Sequence, residues 1–262
     1  MWIDAHSHLA DPLWAERVPG LLARARAAGI GAWIQGGLNP SDWDLQLQLR
    51  KQEGEGILPC FGLHPWWIAD ATQAQIDSAL ESLHKQLSQA VAIGELGLDH
   101  LPRYSQGDAR VRQLRALDAQ LKIARESGKP LVIHCVDAHE PMLQALKAHG
   151  PFPQRGIVHA FSGAIEVARR YIGLGFGISV GAAVTRPGYR KLKEALPLIP
   201  AESLVVETDT GEPESLVAIA QAIAALRQET STEVLDRSAR ILRQIFKVPT
   251  RDFSASGAAT AP

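Results

Sequence analysis

Two histidines in the run Ile3-Asp4-Ala5-His6-Ser7-His8 stand two residues apart. On an extended strand that spacing points both imidazoles to one face, so they could reach one metal ion from a strand end. An incidental pair on a surface strand would look the same, and the rest of the chain has to decide. Further ionisable residues close other short apolar runs: Gly62-Leu63-His64-Pro65, Ile93-Gly94-Glu95-Leu96-Gly97-Leu98-Asp99, Val132-Ile133-His134, Val158-His159-Ala160 and Val205-Val206-Glu207-Thr208-Asp209. Glu95 lies among apolar neighbours, where an unpaired carboxylate is very costly, and so it calls for a cation. Taken singly, His134 and His159 read as core histidines with satisfied nitrogens. Recurrence at equivalent places in successive units makes chance a poor account of them.

The elements that must carry these residues alternate. Strand patterns run over 2–6, 32–36, 58–63, 91–96, 131–135, 156–161, 175–180 and 203–208. Helical patterns run between them over 13–28, 41–53, 73–89, 109–127, 140–149, 164–174, 188–196 and 213–228. In the 109–127 segment Leu114, Leu117, Leu121 and Ala124 recur at three- and four-residue spacing, an apolar stripe. A last helix over 231–246 carries Val234, Leu235, Leu242 and Phe246 to pack against the body. Eight strands, each followed by a helix, predict α/β architecture: a single (β/α)8 TIM barrel with an extra C-terminal helix. A doubly wound open sheet competes, but eight units in about 250 residues is the barrel's usual size. Residues 1–249 form the expected barrel, and the Ser-, Ala- and Gly-rich 250–262 segment reads as a disordered tail.

Barrel chemistry sits at the carboxyl ends of the strands, which is where the ionisable residues fall. Four imidazoles and two carboxylates at one mouth exceed the needs of one tetrahedral ion. They suit two divalent ions about 3.5–4 Å apart that clamp an oxygen and activate a water. Imidazole favours zinc, manganese or iron, while the carboxylates leave magnesium open.

Bulk properties narrow the class. The 262 residues are 46% hydrophobic and 21% charged, with a formal net charge of −1, an ordinary globular balance with no global field for nucleic acid. Cys60 and Cys135, the two cysteines, argue against a disulfide framework and fit a reducing compartment. No apolar run reaches the roughly 18 residues of a membrane span. A cleaved leader would remove His6 and His8, so the cytoplasm is the expected location.

Together the runs Asp4-Ala5-His6-Ser7-His8, Gly62-Leu63-His64-Pro65, Gly94-Glu95-Leu96-Gly97-Leu98-Asp99, His134, His159-Ala160-Phe161-Ser162-Gly163 and Glu207-Thr208-Asp209 resemble the TatD family of metal-dependent deoxyribonucleases, within the amidohydrolase superfamily. The resemblance covers residues 1–249 and implies a (β/α)8 barrel. It implies that His6, His8 and Asp209 ligate one metal, that Glu95 is shared, and that His134 and His159 hold the second. With no lysine on the fourth strand, Glu95 must bridge. Asp209 is the expected proton acceptor, Glu207 would orient a ligand or water, and His64, Tyr104 and Arg103 could contact substrate. The implied activity is 3′–5′ exodeoxyribonuclease action on single-stranded DNA through a two-metal-activated water. The alternative is hydrolysis of a small amide, lactone or phosphoester. DNA is the expected partner, no obligate protein partner is called for, and a monomer is expected.

The sequence departs from the family in two places. An arginine usually stands two residues after the fifth-strand histidine, where this chain has Val136. The proline-rich loop that usually follows the last aspartate is shortened here to Thr210-Gly211-Glu212 before Pro213. Arg186, Arg190, Lys191 and Lys193 could replace lost phosphate contacts, although a solvated helix face explains them more simply.

Overall fold

All eight predicted strands form, and each pairs with the next in parallel in the computed structural model, which describes residues 1–249. The predicted tail at 250–262 lies outside the described residues. The strands are β1 (Trp2–Ser7), β2 (Ile30–Gln35), β3 (Ile57–Leu58), β4 (Cys60–Phe61), β5 (Ala92–Asp99), β6 (Leu131–Val136), β7 (Ile157–Val158), β8 (Gly177–Val180) and β9 (Leu204–Val206). Here β3 and β4 share one barrel position, divided at Pro59. Leu58 pairs with Ile34 of β2, whereas Cys60 pairs with Ala92 of β5. Proline has no N–H for the ladder, yet its carbonyl still accepts from Val91 N at 2.8 Å.

The other seam joins β9 to β1. The Asp4 carboxylate accepts from Thr208 N at 2.9 Å and from Thr208 Oγ1 at 2.6 Å, and Asp209 N donates to His6 O at 2.9 Å. A buried side chain thus stands in for ladder partners and closes the sheet on itself, which excludes the open doubly wound alternative.

Helices α1 (Val18–Ala27), α2 (Pro40–Glu53), α3 (Pro65–Asp70), α4 (Gln73–Gln86), α5 (Ala109–Ser127), α6 (His139–His149), α7 (Ile165–Gly173), α8 (Arg190–Ala195), α9 (Ser215–Arg227) and α10 (Ser231–Phe246) surround the barrel. Asn39 caps α2 by accepting from Ser41 N and Asp42 N, with Pro40 in the first turn where its missing N–H costs nothing. Two boundaries differ from the sequence pattern. The predicted 13–28 helix is broken, because Asp11 caps a 3-10 turn at Pro12–Trp14 and α1 starts only at Val18. The short α3 has too few turns to show a helical period, and the pattern misses it.

One apolar cluster joins Ile34, Ala92, Val132, Ile157 and Val205 of the strands to Leu242, Ile245 and Phe246 of α10. The extra helix therefore floors the barrel. Two residues beyond Val132, Ile157 and Val205, on the same face by the pleat, come His134, His159 and Glu207. An apolar layer below thus sets the height of an ionisable layer above it.

Candidate metal centre

The two oxygens of Glu95 divide this layer. Toward Oε1 point His6 Nε2 at 3.2 Å and His8 Nε2 at 3.4 Å, with Asp209 Oδ1 3.4 Å from His8 Nε2. Toward Oε2 point His159 Nε2 at 2.8 Å, His64 Nε2 at 3.3 Å and His134 Nδ1 at 3.5 Å. The six side chains named from the sequence as ligands converge, and His64 joins them. Asp209 does not arrive by strand alternation: β9 ends at Val206, and Asp209 adopts a left-handed φ of 55° that turns its carboxylate toward His8.

Hydrogen bonds assign the ring nitrogens. His134 Nε2 faces Asp99 Oδ2 at 3.2 Å, which places its proton there and leaves Nδ1 as the free electron pair aimed at Glu95. This carboxylate–histidine pairing is the usual support of a metal-binding imidazole. His64 is the reverse case. Its Nδ1 accepts from Trp66 N at 3.0 Å, so the neutral ring carries its proton on Nε2, facing Glu95 Oε2. His64 is therefore a donor, although its distances alone would place it among possible ligands.

Three features fit divalent cations. Glu95 Oε1 is buried without a hydrogen-bond partner. His134 Nδ1 lies 3.0 Å from His159 Nε2, and His6 Nε2 lies 3.2 Å from His8 Nε2; about 3 Å is the spacing of ligands that share one ion. A Cβ on Gly36, at the end of β2, would come within 2.5 Å of Glu95 Oε1 and 2.6 Å of His6 Cε1, so only glycine leaves this hollow free. His6, His8 and Asp209, as well as His6, Glu95 and His159, are spaced to hold an ion.

Burial disfavours charge throughout the centre, and the neighbours decide each outcome. Burial would raise Glu95, yet the imidazoles of His6, His159 and His64 around it hold its carboxyl well below the usual range. Burial favours neutral His8, but the Asp209 hydrogen bond and the Glu95 charge lift it to about 9. His159 rises to about 10 against burial through the charge and hydrogen bond of Glu95. Burial and the neighbouring His134 imidazole push His64 down to about 4. Glu207, fully buried, is raised to about 7 chiefly by burial. Its carboxylate accepts from Ala160 N and Ser179 Oγ, and so fixes the turn that follows His159.

Buried glutamines supply positioning that sequence patterns did not reveal. Gln120 of α5 accepts from Leu63 N at 2.7 Å and donates to Leu63 O, clamping the backbone before His64. Gln113, two turns earlier, does the same for Asp99. Gln46 of α2 bonds Gly36 O and Cys60 N. Each replaces ladder partners where a strand frays into a functional loop. Two glutamines seven residues apart, interrupting the apolar stripe of α5, were the available signal. Asp99 was present in the recognised motif without a role.

Beside Asp209 opens a cleft of about 590 Å³, lined by Val136, Ala160, Gly181, Arg186, Tyr189 and Glu207 among others. Of the four cations after β8, Arg186 reaches this cleft, whereas Arg190 pairs with Glu194 at 3.6 Å and Lys193 Nζ donates to Arg186 O. The shortened loop is closed by contacts from the first βα unit. Gly211 packs so tightly on the Trp14 ring that a Cβ would overlap it, and Arg24 pairs with Glu214 at 2.6 Å.

A parallel barrel with imidazoles gathered around a buried carboxylate at its carboxyl end defines a metal-dependent hydrolase of the amidohydrolase fold. Residues 3–247 match the family described as TatD related DNase, and the chain belongs to that family. It is 28% identical over 260 residues to the uncharacterized metal-dependent hydrolase YjjV of Escherichia coli, with 95% of this chain and 98% of YjjV covered. The crystal structure of YjjV superposes with a TM-score of 0.84. Identity to the 3′-5′ ssDNA/RNA exonuclease TatD of Erwinia amylovora is 31% over 265 residues, covering 93% of this chain and 98% of that protein. A TatD family hydrolase from Entamoeba histolytica, 20% identical and covering 94% and 98% of the two chains, shares the fold with a TM-score of 0.81. Among the described residues no helix is long and apolar enough to cross a membrane.

Proposed function

We propose that the protein is a 3′–5′ exodeoxyribonuclease acting on single-stranded DNA, with residues 1–249 as its working unit. The observation that carries this reading is the division of the mouth by Glu95 into two ligand groups beside an arginine-bearing cleft. His6, His8 and Asp209 with Glu95 would hold one ion, and His134 and His159 with Glu95 would hold the other. Magnesium, manganese or zinc bound there supplies Lewis-acid activation of the phosphodiester and of a water.

The chain's own groups have separate tasks. Asp209, with its side chain 38% exposed, is the carboxylate that solvent and substrate can reach, and it takes the proton from the attacking water. His64 donates its Nε2 proton to a phosphate oxygen. Glu207 keeps His159 in place through the turn at Ala160. Arg186, on the cleft wall, meets a neighbouring phosphate in place of the family arginine.

The alternative substrate class, a small amide, lactone or phosphoester, is favoured by Val136 and the shortened loop, which leave the mouth with fewer cations. Nucleotide release from 3′ ends of single-stranded DNA with Mg²⁺ or Mn²⁺, run beside small esters and amides, separates the two. Turnover of DNA is the expected result; turnover of only the small substrates overturns the nuclease reading.

A further inference from the structure

Trp66 is 43% exposed at the rim of the mouth, whereas Trp67 beside it packs against the core. The exposed indole is fixed from two directions. Its Nε1 donates to Asp99 Oδ2 at 2.7 Å, and its ring stacks on Tyr104 with centroids 5.1 Å apart and planes 19° from parallel. The Arg103 guanidinium lies over the Tyr104 ring, 5.3 Å from its centroid. On the inner side the Trp66 centroid is 4.6 Å from that of His64, whose Nε2 lies 3.3 Å from Glu95 Oε2. An aromatic pair with an exposed indole thus borders the His64 side of the centre.

Resting on the nuclease reading, we propose that Trp66 and Tyr104 form a nucleobase platform. The base joined to the phosphate at the centre lies against the exposed indole, and the platform selects nucleotide ends that carry a base. Stacking needs only a π face, so the platform tolerates all four bases and favours unpaired ends, where a base is free to leave its neighbours. Arg103 extends the stack outward and adds a cation for the next phosphate. Loop packing alone would give Trp66 the same Tyr104 contact, but it would not make binding depend on a base.

Calorimetric titration of the metal-loaded protein with deoxyadenosine 5′-monophosphate and with 2-deoxyribose 5-phosphate tests this. The two probes share the phosphate and sugar and differ only in the base. The nucleotide is expected to bind about tenfold tighter or better, the usual worth of one stacked base. Trp66→Leu should bring the ratio near one, while Trp66→Phe, which keeps a ring and loses the N–H, should retain most of it. Equal affinities in the parent protein, or an unchanged ratio in Trp66→Leu, overturn the platform. Should Trp66→Leu fail to fold, Tyr104→Leu reads the same property: a ratio reduced about threefold or more supports the paired platform, and an unchanged ratio overturns it. The nuclease reading fails separately. If DNA stays intact while bis(p-nitrophenyl) phosphate is cleaved and the base ratio persists, the platform stands as a nucleotide site and the nuclease falls. If DNA is degraded and the ratio is one, the platform alone falls.

Discussion

The two sides of Glu95 are built from similar residues and differ in what surrounds them. On the Oε1 side the His8 and Asp209 side chains are 25% and 38% exposed. On the Oε2 side those of His64, His134 and His159 are 2%, 7% and 3% exposed. The open side has a second carboxylate and faces the cleft that Arg186 lines. The closed side has buried support, with Asp99 behind His134 and Glu207 behind the turn after His159. On the proposed reading, exchange of water and proton belongs to the open side, and the closed side supplies fixed geometry and the His64 contact to the phosphate. Glu95 presents one oxygen to each side, so the largest perturbation comes from removing it. Glu95→Ala should lower phosphodiesterase activity at least about 1,000-fold, since metal activation is worth several kcal/mol. Metal analysis should show loss on both sides, with an unchanged circular dichroism spectrum. A folded, fully active variant would remove the shared role.

Asp209→Asn separates the sides. It keeps the shape and the His6 O hydrogen bond of the backbone and removes the exposed negative charge. As a lost proton acceptor it should reduce kcat by about 100- to 10,000-fold, while binding of one metal equivalent persists in calorimetry. If both equivalents vanish, the two sides are not independent. Asp99→Asn is the matching change on the closed side. Loss of the carboxylate behind His134 should weaken metal binding by about 10- to 100-fold on that side only. An effect on both equivalents, or on neither, would show that the support is not local.

The clustering of the candidate ligands was legible in the sequence because metal chemistry restricts residue type and strand geometry restricts place. His6 and His8 at a spacing of two gained their meaning from the other strand-end runs, and a lone Glu95 among apolar residues called for a cation. The eight-fold alternation was legible for the same reason, because each unit repeats one pattern. What holds those residues in register was not. Asp4 closes the barrel by standing in for a ladder partner of Thr208, and nothing in a strand pattern distinguishes that aspartate from a ligand. Gln46, Gln113 and Gln120 act on backbone distant in sequence, up to 57 residues away for Leu63. Pro59 divides a strand whose apolar run continues across it, and α3 is too short for periodicity to register. Such features depend on which backbone groups the closed barrel leaves unpaired, and that is known only once it has closed.

His8 on the open side and His64 on the closed side differ in proton affinity, whereas His159 on the closed side is raised to about 10 by Glu95, so the His8–His64 pair is the subtlest test of the comparison. With metal removed by a chelator, His8 should keep its proton until about pH 9, because Asp209 and Glu95 outweigh its burial. His64 should stay neutral down to about pH 4, because burial and His134 oppose its charge. The stability signs are opposite. A raised histidine contributes stability that is complete below its unfolded value near 6.5 and lost as pH rises through about 9. A depressed histidine contributes above 6.5 and loses that contribution as pH falls toward 4. Proton NMR titration of the imidazole resonances, assigned with His8→Gln and His64→Gln, measures both values directly. A His64 titrating near 6.5 would mean that the closed side admits water, and the distinction between an exchanging side and a fixed one would no longer hold.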